Sequence, residues 1–327
     1  MKDLLDQLLD YALSIQASDI HFLLESNHVS IQFRTMNGLH PIQQDIWNAA
    51  FFQYLKYISG FDLTNPNVPQ SGQFAWKNIF CRFSVIHNQS IQTGVLRLLS
   101  AKLDLRIDEL CDDSQAQMCM NRLIHLNQGL VLTCGPTNSG KTTTIHAILH
   151  AMAKQSKYKI VSLEDPIEIE DDSYLQLQIN EEQGFTYEKG ITELMRHDPD
   201  VIFIGETRNA FCAQSLVNAA LSGHVVVSTI HAGSCLEAIE RLLDFHVAKS
   251  DLKSTLVCIL SQRLYQGSHG KKVCVYEIVQ KEEIEYLLEN FDYPKTTRKL
   301  YDKILEGIKQ GSIQDSQAEF DIQNHKR

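Results

Sequence analysis

Residues 135–142 read Gly-Pro-Thr-Asn-Ser-Gly-Lys-Thr, and no other run narrows the fold of this chain as far. The spacing G-x-x-x-x-G-K-[ST] lets two glycines turn backbone N–H groups inward around phosphates, with a lysine and a hydroxyl behind them. Such a loop needs a strand before it and a helix after it, because the positive end of the helix faces the anion. Both are expected here. Gly129–Cys134 is a short apolar run, and Ile145, Ile148, Leu149 and Met152 recur on one helix face. Further apolar strands are expected at Lys159–Leu163, Val201–Ile204, Val225–Ile230 and Val273–Val279, separated by helical segments. That alternation predicts a mostly parallel α/β sheet.

Gly135, Pro136, Thr137, Asn138, Ser139, Gly140, Lys141, Thr142 and Thr143 are therefore read as a nucleotide-phosphate cradle. Lys141 would meet the β/γ oxygens, and the Thr142 hydroxyl would ligate Mg²⁺. ATP and Mg²⁺ are the expected cofactors. In an open parallel sheet, ligands lie beyond the carboxyl ends of the strands. Three expected strand ends carry chemical groups there: Glu164, Glu206 and His231. Hydrolysis needs a group to orient water and a metal held against the phosphates. Glu164 and Glu206 can divide those tasks in either order. His224 and His231 flank one strand and lie roughly 20 Å apart along it. His231, at the ligand edge, is the sensor candidate. His224 is open between a structural place, a subunit contact and a part in nucleotide binding.

The first hundred residues read differently. Leu4, Leu5, Leu8, Leu9 and Leu13 mark a helix face, followed by strands at 18–24 and 28–34, a helix at 45–59 and a meander at 72–76, 79–86 and 91–99. Turns are expected at 37–38, 77–78 and 87–90, and the polar stretch 100–114 is the expected linker. The domains are thus 1–104, a small α+β unit, and 105–327, the phosphate-binding unit with C-terminal helices. A net charge of −10, without a Lys/Arg cluster, weighs against direct nucleic-acid binding. Eight cysteines without a CxxC pair give no zinc site. The longest apolar runs are too short to span a bilayer. The acidic, amphipathic start MKDLLDQLLDYAL is no signal peptide, so a cytoplasmic protein is expected.

Together these runs resemble the secretion-motor ATPase superfamily, which drives type II secretion, type IV pili and DNA-uptake machines. GPTNSGKTTT resembles its Walker A, EDPIE (164–168) its Asp box, LMRHDPDVIFIGETRN (194–209) its Walker B region and SGHVVVSTIHA (222–232) its His box. ASDIH (17–21) matches a signature of its N-terminal domain. The resemblance implies a RecA-like ATPase domain behind a PAS-like α+β domain, assembled as a homohexamer. It implies Glu164 as catalytic glutamate and Glu206 as the Walker B residue coordinating Mg²⁺ and water. Arg82 and Arg97 would be the charge-stabilising arginines that the first domain brings to the nucleotide. Asn138 stands where glycine is commoner, and Thr207 and Asn209 replace the usual hydrophobic residue and Asp. A short chain beginning almost at the second N-terminal domain of longer members, without a four-cysteine element, is expected to be either a pilus-retraction motor or a competence-pilus ATPase of Gram-positive bacteria. The tail YPKTTRKLYDKILEGIKQGSIQ lacks the AIRNLIRE-like helix of the former, so the latter is favoured. The implied partner is a polytopic membrane platform protein, at the inner face of the cell membrane. Other pilus or secretion motors, or an ATP-binding scaffold with negligible turnover, are the alternatives.

Overall fold

A computed structural model describes residues 1–327 apart from 36–37, 43–45, 66–67, 78, 89–90, 101–105, 182, 269–271 and 326–327. The turns expected at 37–38, 77–78 and 87–90 and the linker expected at 100–114 fall partly outside the described residues. The chain divides into two compact units, Met1–Lys102 and Leu103–Arg327.

In the first unit, helix α1 (Lys2–Ser14) buries Leu5, Leu8, Leu9 and Ala12 along one stripe. Strands β1 (Asp19–Glu25), β2 (His28–Thr35) and β3 (Gly38–Ile42) precede helix α2 (Ala49–Ile58). The Asn48 side chain caps α2 by accepting from the Phe51 amide at 3.1 Å. Strands β4 (Gln70–Trp76), β5 (Ile79–Asn88) and β6 (Ile91–Ser100) complete an antiparallel sheet of order β3-β2-β1-β6-β5-β4. Alternate residues of these strands face the helices: Ile20, Phe22, Ile31, Phe33, Cys81 and Phe83 join Phe51 and Phe52 of α2 in one core. The other face mixes polar side chains with Leu23, Phe80, Ile86 and Val95. Across it, strand register sets Arg34, Asp19, Arg97, Arg82 and Gln73 in one row.

The second unit opens with a short 3₁₀ turn (Ile107–Glu109) and helix α3 (Ser114–Leu123). Strand β7 (Gly129–Cys134) leads through the phosphate loop into α4 (Lys141–Ala153), then β8 (Ile160–Glu164), β9 (Leu175–Gln178) and α5 (Tyr187–Leu194). There follow β10 (Val201–Ile204), α6 (Ala210–Leu221), β11 (Val225–Ile230), α7 (Cys235–Asp244) and α8 (Lys249–Thr255). Strands β12 (Leu256–Gln266) and β13 (Lys272–Gln280) and helices α9 (Lys281–Asn290), α10 (Leu300–Lys309) and α11 (Ser316–His325) end the chain.

The seven-stranded sheet has the order β13-β12-β7-β11-β10-β8-β9. Its strands pair in parallel, except β13, which runs antiparallel to β12. β7, β8, β10 and β11 are buried along their whole length, as a sheet covered on both faces requires. One face packs α3 and α4 over Val131, Ile160, Phe203 and Val227. The other packs α5, α6, α7 and α9 over Leu132, Leu163, Ile204 and Val226. The sheet contains β9 and β12 beyond the strands expected from sequence. β12 escapes notice because it follows α8 without a turn residue between them.

Candidate functional site

The phosphate loop hangs from the centre of the sheet, with β12 on one side of β7 and β11 on the other. Its crest, Pro136, Thr137 and Asn138, is exposed. Gly135 has φ +148°, and a Cβ there would lie 2.5 Å from the Gln262 carbonyl oxygen; only glycine fits. Asn138 has φ +63°, the left-handed region that asparagine tolerates better than most side chains. This is why it can stand where glycine is commoner. From β12, Gln262 donates to the Ser139 carbonyl at 2.7 Å and props the loop from behind. Ser139 Oγ is buried and has no partner among the described residues. A left-handed Gly140 begins α4, so the helix start presents its amides to the loop. A cradle only glycine can line and an orphaned hydroxyl fit a bound phosphate chain.

Lys141 Nζ donates to the carbonyls of Gly135 (2.9 Å) and Pro136 (2.8 Å). Burial lowers its pKa, and the acidic groups that oppose this include Glu206 and Glu168. Glu206 follows β10. Its Oε1 lies 2.8 Å from His231 Nε2, beyond the end of β11. Its Oε2 accepts from Arg208 Nε at 2.7 Å, and Arg208 Nη1 reaches Asp165 at 3.0 Å. The structure thus brings Glu206 and His231 together and leaves Lys141 bonded within its own loop. It adds Arg208, which the sequence reading passed over, as a link between the segments after β8 and β10.

Glu164 is placed differently. It ends β8, but period-two alternation sets Ile160, Ser162 and Glu164 on the face under α4. The carboxylate is 2% exposed. Its Oε1 accepts from Ser162 Oγ (2.7 Å) and Gln176 Nε2 (3.1 Å), and its Oε2 faces His146 of α4 at 3.4 Å. Glu168, the last residue of the same EDPIE run, is exposed and is the member of that run whose charge acts on Lys141. Strand alternation was the signal that could have separated the two.

His224 precedes β11. Register sets Val225 beside Gly129 and Ile230 beside Cys134, so His224 lies at the opposite end of the strand from the phosphate loop of its own chain. Its Nδ1 bonds the Ala219 carbonyl at 3.0 Å near the end of α6. The departures after Glu206 have local reasons. The buried Thr207 hydroxyl pairs with Ser228 Oγ at 2.9 Å, and the Asn209 side chain caps α6 by accepting from the Cys212 amide at 2.9 Å. Arg82 and Arg97 lie in the first unit, opposite each other across β5 and β6. Arg97 Nε donates to the buried Asp19 at 2.8 Å.

A family model described as "Type II/IV secretion system protein" matches residues 1–309. The chain is 29% identical over 306 residues to "Competence protein ComGA" of Bacillus subtilis (strain 168), covering 86% of each chain. It is 34% identical over 270 residues to "Type II secretion system protein E" of Dickeya dadantii (strain 3937), covering 80% of this chain and 54% of that one. Among solved structures, the Legionella pneumophila ATPase DotB superposes with a TM-score of 0.77 at 19% identity, covering 98% of this chain and 95% of that one.

Proposed function

This chain belongs to the type II/IV secretion system protein family, and on that premise we propose that it is an ATP-hydrolysing motor. The observation that carries the proposal is a glycine-lined loop holding Lys141, with the Glu206 carboxylate fixed at a neighbouring strand end between His231 and Arg208. A scaffold that only held nucleotide would need the loop and the lysine but not a carboxylate held in place beyond the strand. In this reading Lys141 exchanges its two carbonyl partners for the β/γ-phosphate oxygens. Thr142 and Glu206 would hold Mg²⁺, Glu206 partly through water. Magnesium, when bound, would supply positive charge against the phosphates. Glu168 orients the attacking water and takes its proton. We assign that role to it in place of Glu164, because Glu164 is shut from water with its oxygens already facing protein donors. His231 and Arg208 hold Glu206 from either side, and His231 registers the state of the phosphates. His224 serves the base of β11.

Arg82 and Arg97, from the first domain (1–104), would add positive charge to the nucleotide when that domain closes on it. Six copies would form a ring, and the closing motion would act on a polytopic platform protein from the cytoplasmic face of the membrane. No helix among the described residues is long and apolar enough to cross a membrane itself. Competence-pilus assembly is the favoured task, since likeness to the competence relative covers 86% of both chains. A motor for another type IV pilus or a type II secretion system is the second reading, favoured by the 34% identity to a type II protein. Direct nucleic-acid binding is not part of either. Phosphate release by the assembled protein tests the proposal: wild type should turn over ATP and Lys141→Ala should fall to background. Equal background rates from both would sink the motor reading. Transformation scored after gene disruption separates the two tasks.

A further inference from the structure

We infer that His146, Glu164 and Gln176 form a buried positioning device that fixes Glu168 relative to the phosphate loop. The inference rests on the reading of Glu168 above.

Helix α4 begins at Lys141 and Thr142, so whatever it grips is referenced to the phosphates. One and a half turns on, His146 is 3% exposed. The Tyr174 hydroxyl bonds its Nδ1. Burial, with the Glu164 charge nearby, pushes the Tyr174 pKa far up, so that hydroxyl keeps its proton. When it donates that proton to Nδ1, a neutral His146 carries its own on Nε2, the tautomer that turns a donor toward Glu164. Nε2 is buried, has no hydrogen-bond partner among the described residues, and lies 3.4 Å from Glu164 Oε2. A donor without an acceptor beside a buried carboxylate is an attraction along one line. The edge of the Phe203 ring packs against His146 and confines it, with the ring centroids 5.8 Å apart. His150, one turn later, pairs with Asp171 at 2.6 Å.

Glu164 passes the constraint on. Its Oε1 accepts from Gln176 Nε2, and the same nitrogen donates to the Ile169 carbonyl at 2.8 Å. Gln176 Oε1 accepts from the Asp171 amide, also at 2.8 Å. One glutamine therefore holds the backbone at 169 and 171, and Ile169 is the residue next to Glu168. The segment between β8 and β9 is thus tied to α4 through a chain of three side chains. His146 and Gln176 touch neither phosphates nor water in this scheme. They act through Glu164 on where Glu168 stands.

The test uses the assembled full-length protein and steady-state phosphate release. Gln176→Met keeps length but loses both the donor and the acceptor, and His146→Leu keeps bulk but loses both ring nitrogens. Each should lower kcat by about tenfold while KM for ATP stays within about twofold, since misplacing a reacting group slows chemistry without touching ground-state binding. His146→Gln, which can still accept from Tyr174 and donate to Glu164, should recover most of the kcat lost in His146→Leu. Rates like wild type for Gln176→Met and His146→Leu, with Glu168→Gln inactive, would overturn the device and leave the proposed function standing. An active Glu168→Gln would instead remove the reading on which the inference rests. Equal kcat losses in His146→Leu and His146→Gln would also overturn it.

Discussion

Replacing Glu168 by glutamine keeps the shape of the side chain and removes one charge and one proton acceptor. A positioned general base contributes about 10²–10⁴-fold to a rate, which is roughly 2.7–5.5 kcal/mol of barrier. Glu168→Gln should therefore lose at least about a hundredfold in kcat. The residue is exposed, so the fold should barely notice, with a melting temperature within about 2 °C of wild type. Glu164→Gln should behave in the opposite way. Three groups face that carboxylate: the Ser162 hydroxyl, the Gln176 amide and His146 Nε2. A glutamine offers only one acceptor oxygen, and its amide nitrogen would meet a donor. An unsatisfied buried polar group costs about 1–3 kcal/mol, and at roughly 2–4 °C per kcal/mol for a unit of this size the melting temperature should fall by about 2–12 °C. Its kcat should fall only about tenfold, through misplacement of Glu168. Phosphate release and thermal melting, measured on the same preparations, give both axes. An inactive Glu164→Gln with unchanged melting, beside an active Glu168→Gln, would return the catalytic role to Glu164 and refute the reasoning from burial.

Two further outcomes follow from local geometry. Gly135→Ala puts a methyl 2.5 Å from the Gln262 carbonyl oxygen at φ +148°, so the loop must shift; nucleotide binding, read by a fluorescent ATP analogue, should weaken at least about tenfold, and undiminished binding would contradict the close packing of β12 behind the loop. Asn209→Ala removes the cap of α6 at a cost of about 1 kcal/mol, lowering the melting temperature by roughly 2–4 °C with kcat changed less than about twofold. Loss of turnover in that variant would instead mean that Asn209 takes part in the site.

The reach of sequence reasoning follows physical lines. The phosphate loop was legible because its chemistry lies in eight consecutive residues, and the strands β7, β8, β10 and β11 because burial on both faces makes them continuous apolar runs. Glu206 and His231 were legible as strand ends. For Glu164, counting strand ends says where the backbone arrives, whereas period two decides which face the last side chain takes. His146 gives no signal in the sequence: only the fold sets Tyr174, Phe203 and the buried Glu164 around it. Arg208 was passed over because its partners, Glu206 and Asp165, lie on segments that only the sheet order brings together. The β9 strand, four residues long at the sheet edge, is too short to leave a periodic trace.

The order of the sheet also sets a schedule for making the protein. β7 is the first of its strands to be synthesised, yet its two neighbours, β11 and β12, come some ninety residues or more later in the chain. Gln262, which props the phosphate loop, is 123 residues from the Ser139 carbonyl it holds. Contacts of that separation form late and slowly. A nascent chain that has exposed GPTNSGKT but not β12 therefore has the letters of the nucleotide site without its support. Tight ATP binding during translation would mark the moment at which the central sheet closes.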